Sequence, residues 1–310
     1  TTFFFGMDIS VGVGAPTTVQ GNVIRKFAIS NAGASATTPS FTGISINYGN
    51  LVVNQNVVGD PLNNGSITVT KAGTSTTATT VMPIRISGGT TITTSNNTVA
   101  GITAIGLATG PASIIGIHVA GGTTNTVSNN TIGSTTIANS IIAPFNTTAN
   151  ASLVTGINIA GGTNATVSGN TVANISNSSS SSSASAQVRG IVVSSSTLPT
   201  VTGNTVFALS AANANTGVNT GSSVLGLQVS SSSAGATVSG NTIHSLINTN
   251  TTAANVNVIG LFVNSATTGT NMVSKNFIHS LNTTATGTTA TLTGMEVGAG
   301  QLTVDNNMIR

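Results

Sequence analysis

The sequence predicts an all-β solenoid: a parallel β-helix of about nine coils, with an asparagine ladder inside it and a fringe of variable loops outside. Three observations predict it. A six-residue motif centred on asparagine recurs nine times along the 310 residues. A Gly-apolar-x-apolar segment precedes nearly every copy. The composition is 38% hydrophobic but only 4% charged, against roughly 25% charged in an average soluble domain. Disordered chains combine low hydrophobicity with high net charge, so disorder does not fit. The apolar residues are mostly Ile, Val, Leu and Ala, with 3% aromatics, which favours strands.

The nine motifs read VQGNVI at 19–24, VNQNVV at 53–58, TSNNTV at 94–99, VSNNTI at 127–132 and VSGNTV at 167–172. They continue as VTGNTV at 201–206, VSGNTI at 238–243, VSKNFI at 273–278 and VDNNMI at 304–309. The aligned residues are Asn22, Asn56, Asn97, Asn130, Asn170, Asn204, Asn241, Asn276 and Asn307, spaced 31 to 41 apart. The preceding segments include GMDI at 6–9, GISI at 43–46, GIHV at 116–119, GINI at 156–159 and GIVV at 190–193. GLQV at 226–229, GLFV at 260–263 and GMEV at 294–297 complete the series, and one coil substitutes Pro83 before Ile84. A third apolar position follows the motif at Ile102, Ile175, Leu209, Leu246 and Leu281.

Each unit therefore offers three short strands with alternate side chains inward. One such unit cannot bury its own inward face, whereas stacked units can. Stacking at about 4.8 Å per coil lets an inward asparagine at a fixed turn pair its amide with neighbouring backbone. Asparagine also tolerates the left-handed backbone of a tight bend, and the ladder residues are expected to supply it.

Length varies chiefly between the third strand and the next Gly-apolar-x-apolar strand, at 30–42, 59–83, 133–155, 176–189, 210–225, 247–259 and 282–293. The bare serine run at 178–183 falls in this slot and reads as a solvated loop. Lengthening a loop costs only about 0.6 kcal/mol per doubling, so a stacked core tolerates it.

The motif V-x-[GN]-N-T-[IV], spaced from Gly-Ile-x-Val, resembles the right-handed parallel β-helix repeat of the pectate-lyase-like superfamily, over residues 6–309. That resemblance implies a fold and little about activity, because the superfamily includes lyases, hydrolases, tailspikes, adhesins and structural proteins. Residues 1–310 are expected to form one domain. Thr1 stands where a start methionine would, so the chain reads as a processed form or part of a longer one.

Seven Lys/Arg against four Asp/Glu give a net charge of +3. Arg25 and Lys26 form the nearest thing to a cluster, and nucleic acid is not an expected partner. With no cysteine there is no disulfide framework or thiolate metal site. No run of about 18 apolar residues exists, so no membrane insertion is expected.

Polysaccharide-cleaving enzymes on this scaffold cluster acidic residues, often with calcium, on an exposed sheet face, and glycoside hydrolysis needs paired carboxyls about 5 to 9.5 Å apart. This chain holds only Asp8, Asp60, Glu296 and Asp305. The outward position of the Gly-apolar-x-apolar strand is taken in turn by Asp8, Ser45, Arg85, His118, Asn158, Val192, Gln228, Phe262 and Glu296. Asp8 and Glu296 are thus eight coils apart, about 38 Å, and no catalytic pair or cofactor is expected. Arg85, His118, Asn158, Gln228, Phe262 and Glu296 form the candidate exposed binding face. His244 and His279 occupy one slot in consecutive coils and should stack about 5 Å apart. They are a weak metal pair, lacking a third ligand, and Arg310 fills the slot in the last coil.

Several other features carry less. Gly12-Val13-Gly14 lacks the third glycine and the helix of a dinucleotide loop. Sequons at Asn146 and Asn282 are expected by chance in so Asn- and Thr-rich a chain. Thr-x-Thr patches, as at Thr91 and Thr93, resemble ice-binding faces but do not recur at one register in the alignment. Phe207 and Phe262 sit at outward positions and Tyr48 is the sole tyrosine, so an aromatic platform for sugars is sparse.

The expected function is therefore a non-enzymatic structural or adhesive segment of a secreted or cell-surface bacterial protein, placed outside the cell. The composition resembles the repetitive regions of large surface proteins, including type IX secretion cargo of Bacteroidota. A carbohydrate-binding or carbohydrate-active module and a self-assembling filament subunit are the alternatives. The end coils lack a capping helix, so further domains or other chains are expected partners there, with surface polysaccharide as another. The segment from Thr1 to Phe5 could close the first coil as an apolar lid.

Overall fold

The computed structural model describes residues 3–31, 38–74, 76–107, 110–144, 151–194, 198–231, 233 and 235–310. Its strands form three parallel sheets that wrap one core. The first sheet stacks nine strands in chain order, from Phe4–Ser10 to Thr291–Ala299. The second stacks nine more, from Thr17–Gln20 to Thr303–Asp305. Nine rungs correspond to about eight complete turns, slightly fewer than the nine coils read from the motif count. The third sheet begins as two short pieces per coil, which fuse where Thr171–Asn177 pairs with both Thr131–Ile132 and Ile141–Ala143. Among the described residues the only helix is the single 3-10 turn Asn219–Gly221.

Period-two patterning fills the interior. Ile44, Ile84, Ile117, Ile157, Ile191, Leu227 and Leu261 are mutual register partners and all fully buried. Removing such surface from water stabilises by about 25 cal/mol per Å². The alternation gives way around the motif glycine: Val154, Thr155, Gly156 and Ile157 are all buried. A Cβ on Gly156 would lie 2.5 Å from Val172 Cγ1 and 2.7 Å from the Gly190 carbonyl oxygen. Glycine holds this column because a third-sheet side chain and the backbone of the next rung leave no room for a Cβ.

The left-handed bend falls one residue earlier than the sequence suggests. Gly21, Gln55, Asn96, Asn129, Gly169, Gly203, Gly240, Lys275 and Asn306, each preceding a ladder asparagine, have φ between 53° and 68°. The ladder asparagines are not left-handed. This explains the [GN] position of the motif: the glycine or asparagine there supplies the turn, and the next asparagine supplies the hydrogen bonds.

The ladder itself is continuous. From Asn56 onward each asparagine Oδ1 accepts two bonds from the asparagine of the preceding coil, one from its backbone N–H and one from its Nδ2. For Asn170 these come from Asn130 at 3.0 and 2.9 Å. Its own Nδ2 donates to Asn204 Oδ1 at 2.9 Å and, in the opposite direction, to the Val127 carbonyl at 2.8 Å. Both amide hydrogens and the carbonyl oxygen are satisfied inside the core, as a buried amide requires. The same pattern joins Asn22 to Asn56 and runs on to Asn307, with the two end residues half-buried.

Two corrections concern the loops. The spans 59–83 and 133–155 are not single loops, because third-sheet strands Ile67–Lys71 and Ile141–Ala143 lie within them. Insertions therefore leave at two corners. In the earlier corner, Asn64 Nδ2 donates to the Ala138 carbonyl at 2.9 Å, joining two inserts that the intervening coil lacks.

The serine run is not simply solvated either. Ser179 and Ser181 are buried, and alternate side chains cap the backbone two residues on. Asn177 Oδ1 accepts from Ser179 N–H, Ser181 Oγ from Ser183 N–H, and Ser183 Oγ from Ser185 N–H. Asn213 and Asn215 in the next coil, and Asn248 and Asn250 in the one after, repeat the device. The loops also bond to one another: Ala212 N–H donates to the Asn177 carbonyl and Asn248 Nδ2 to the Asn213 carbonyl. A short side chain with an acceptor oxygen every second residue is what this corner needs, and serine or asparagine provides it. Deleting residues 178–183 is accordingly expected to cost about 2 kcal/mol or more, because the Ala214 N–H loses its Ser181 acceptor and the buried Ala143 carbonyl loses its Ser178 donor. An unchanged thermal melt of the deletion variant would show that the run does not pack.

The N-terminal aromatic residues form no lid. Phe4 and Phe5 are strand residues paired with Phe41 and Thr42, and the Phe4 ring stacks on Phe41 with centroids 5.4 Å apart. Thr1 and Thr2 lie outside the described residues.

Candidate functional site

The outer column of the first sheet has the predicted register: Asp8, Ser45, Arg85, His118, Asn158, Val192, Gln228, Phe262 and Glu296 are successive partners. It is not uniformly exposed. Arg85, His118, Asn158 and Glu296 are half-buried, while Gln228 and Phe262 are only 6% and 3% exposed. Phe262 turns along the sheet toward Gly298, where an added Cβ would meet its Cζ at 2.8 Å, and it clusters with Leu225 and Ile259. The candidate face is thus closed toward the C-terminal coils, and Phe262 offers no open ring to a sugar. Toward the N-terminus it is polar. Asn47 Nδ2 donates to Asp8 Oδ1 at 2.7 Å, and Asn158 Nδ2 pairs with His118 Nδ1 at 3.2 Å. Burial, with Arg85 adding to it, lowers the His118 pKa below the usual histidine value. Arg189, on the same outer face, bonds to the Gln187 side-chain oxygen, and burial lowers its pKa.

His244 and His279 are register partners whose rings stack in parallel with centroids 4.8 Å apart. Phe207 extends the stack below at 5.1 Å, and Phe277 tilts against His279 at 4.5 Å. Each Nδ1 is engaged by the following serine hydroxyl, Ser245 at 3.0 Å and Ser280 at 2.9 Å. Parallel rings aim their remaining nitrogens side by side instead of at a common point, which suits stacking better than chelation. Among the described residues no group of three or more His, Asp or Glu converges for a metal ion. Burial and the neighbouring His279 lower the His244 pKa. Both His118 and His244 are therefore harder to protonate in the native state than in the unfolded chain, so the stability present above 6.5 is lost as pH falls from there through their lowered native values.

The carboxylates are dispersed. Asp8 and Glu296 occupy the first and last rungs of one column, and Asp305 ends a second-sheet strand. Asp60 shapes its loop: its carboxylate accepts from the Leu62 backbone N–H at 2.9 Å and from Asn63 at 3.0 Å, which lowers its pKa. Of the lesser candidates, Tyr48 is 51% exposed, the Asn282 sequon lies at an exposed position, and the Asn146 sequon lies outside the described residues.

One feature was missed in the sequence. Hydroxyl residues do recur at one register on the outer face of the second sheet, at Thr93 and Ser95 and their partners, not at Thr91 and Thr93. Counting back four and two residues from each ladder asparagine finds them. Compared with known proteins, the chain matches no family model, no curated protein and no solved structure.

Proposed function

We propose that this chain is a non-enzymatic β-solenoid that serves as a structural or adhesive segment of a secreted or cell-surface protein. The observation that carries the reading is where polar chemistry has been placed. Amide groups line the interior in an unbroken ladder, hydroxyl and amide side chains knit the loops, and the carboxylates stand at separate places on the solenoid. Asp8 and Glu296, the two acids of one column, are about 38 Å apart by rung spacing, several times the separation at which a carboxyl pair cleaves a glycosidic bond. A solenoid whose buried amides are committed to stacking suits load-bearing and surface display.

The test is an activity screen on acidic and neutral polysaccharides, with and without calcium. No turnover is expected. Turnover abolished by Glu296→Gln or Asp8→Asn would overturn the reading in favour of a carbohydrate-active module.

A further inference from the structure

We propose that the outer face of the second sheet, over the third to seventh rungs, is a binding surface for ice. Thr93, Thr126, Thr166, Thr200 and Thr237 form one column of direct register partners. Ser95, Ser128, Ser168, Thr202 and Ser239 form a second, two residues along each strand. Around the asparagine bend, Thr98, Thr131, Thr171, Thr205 and Thr242 form a third over the same five rungs. Hydroxyls thus repeat about every 4.8 Å along the solenoid and about every 6.7 Å across the first two columns, a two-dimensional net close to the oxygen repeats of an ice prism face.

Four independent features mark this net as a surface for ordered water. First, the five threonine hydroxyls of the first column have no hydrogen-bond partner among the described residues, and the five residues are half-buried and not closed off, so water is what satisfies them. Second, the five strands carry no charged residue, and no aromatic ring, which a crystalline sugar surface would favour. Third, their pairings show no register shift, unlike the end rungs of the first sheet, so the net is regular. Fourth, the two columns and the third are joined by a two-residue bend, and the long inserts leave from other corners. Threonine is β-branched and stiff at χ1, so its methyl and hydroxyl are held in place before contact and little entropy is lost on binding. Met272 and Val52 interrupt the first column on either side, which bounds the patch at five rungs.

The test uses the purified 310-residue chain, measuring thermal hysteresis, ice-crystal shape and partition into slowly growing ice. The wild-type protein is expected to facet ice, to open a hysteresis gap and to concentrate in the ice. Thr166→Lys should lose most of all three, and Ser168→Tyr, a second block on the same face, should do likewise. Val218→Lys, at an exposed loop position on another corner of the solenoid, should keep them. Circular dichroism and melting establish that each variant is folded. A folded wild-type protein excluded from ice, variants Thr166→Lys and Ser168→Tyr that are both folded and fully active, or an equal loss in Val218→Lys would overturn the proposal. So would sedimentation with cellulose or chitin in place of partition into ice.

Discussion

Replacing Asn170 with alanine is expected to destabilise the protein by about 3 kcal/mol or more, since each orphaned buried group costs about 1–3 kcal/mol. The truncation leaves the Asn130 backbone N–H without its acceptor, and it deprives the Val127 carbonyl, Asn130 Nδ2 and Asn204 Oδ1 of one bond each. Asn170 is fully buried, so water cannot replace what is lost. Asn22→Ala, at the half-buried first rung, should cost less, because solvent reaches that end of the ladder. Melting curves of the two variants check both size and order. Equal, near-neutral effects would mean that the ladder amides are satisfied elsewhere.

Gly190→Ala should be comparably damaging, about 3 kcal/mol, at the upper end of what overpacking a core costs. An alanine Cβ would lie 2.4 Å from the Gly226 carbonyl oxygen and 2.4 Å from Val206 Cγ1. Neither can yield cheaply, because one is backbone in the next rung and the other is packed in the core. Gly203→Ala is the informative contrast. Nothing lies within 4 Å of its Cβ, so only the strain of its φ of +63° opposes the change. A smaller loss for Gly203→Ala separates close packing from conformational freedom as the reason for glycine. If Gly190→Ala melts like the wild type, the two sheets do not approach as described.

The repeat and its architecture were legible because the asparagine motif has fixed internal spacing, so rung partners such as His118 and Asn158 could be aligned by counting. Conformation was less legible. The left-handed residue was assigned to the ladder asparagine, although the motif already offered glycine or asparagine at the preceding position. Burial outside the core was not legible at all. Gln228 and Phe262 alternate outward as expected, yet neighbouring rungs and Gly298 shield them. Residues 178–183 show the same limit, because a serine run reads as solvent-facing unless the next coil is known to supply Asn213 and Asn215 beside it. The hydroxyl net was hidden by a choice of origin. Aligned from Thr91 the pattern lapses, since Thr124, Asn164 and Leu198 follow it, whereas Thr93 keeps its hydroxyl through five rungs.

Distances between spin labels on the outer column of the first sheet test the stacked architecture most directly. The chain has no cysteine, so Asp8, Asn158 and Glu296 can be changed to cysteine in pairs without background labelling. They occupy the first, fifth and ninth rungs of one sheet. The Asp8–Asn158 and Asn158–Glu296 pairs should each give about 19 Å and the Asp8–Glu296 pair about 38 Å, the sum that equal rung spacing requires. An Asp8–Glu296 distance well short of that sum, or unequal halves, would contradict a continuous parallel solenoid.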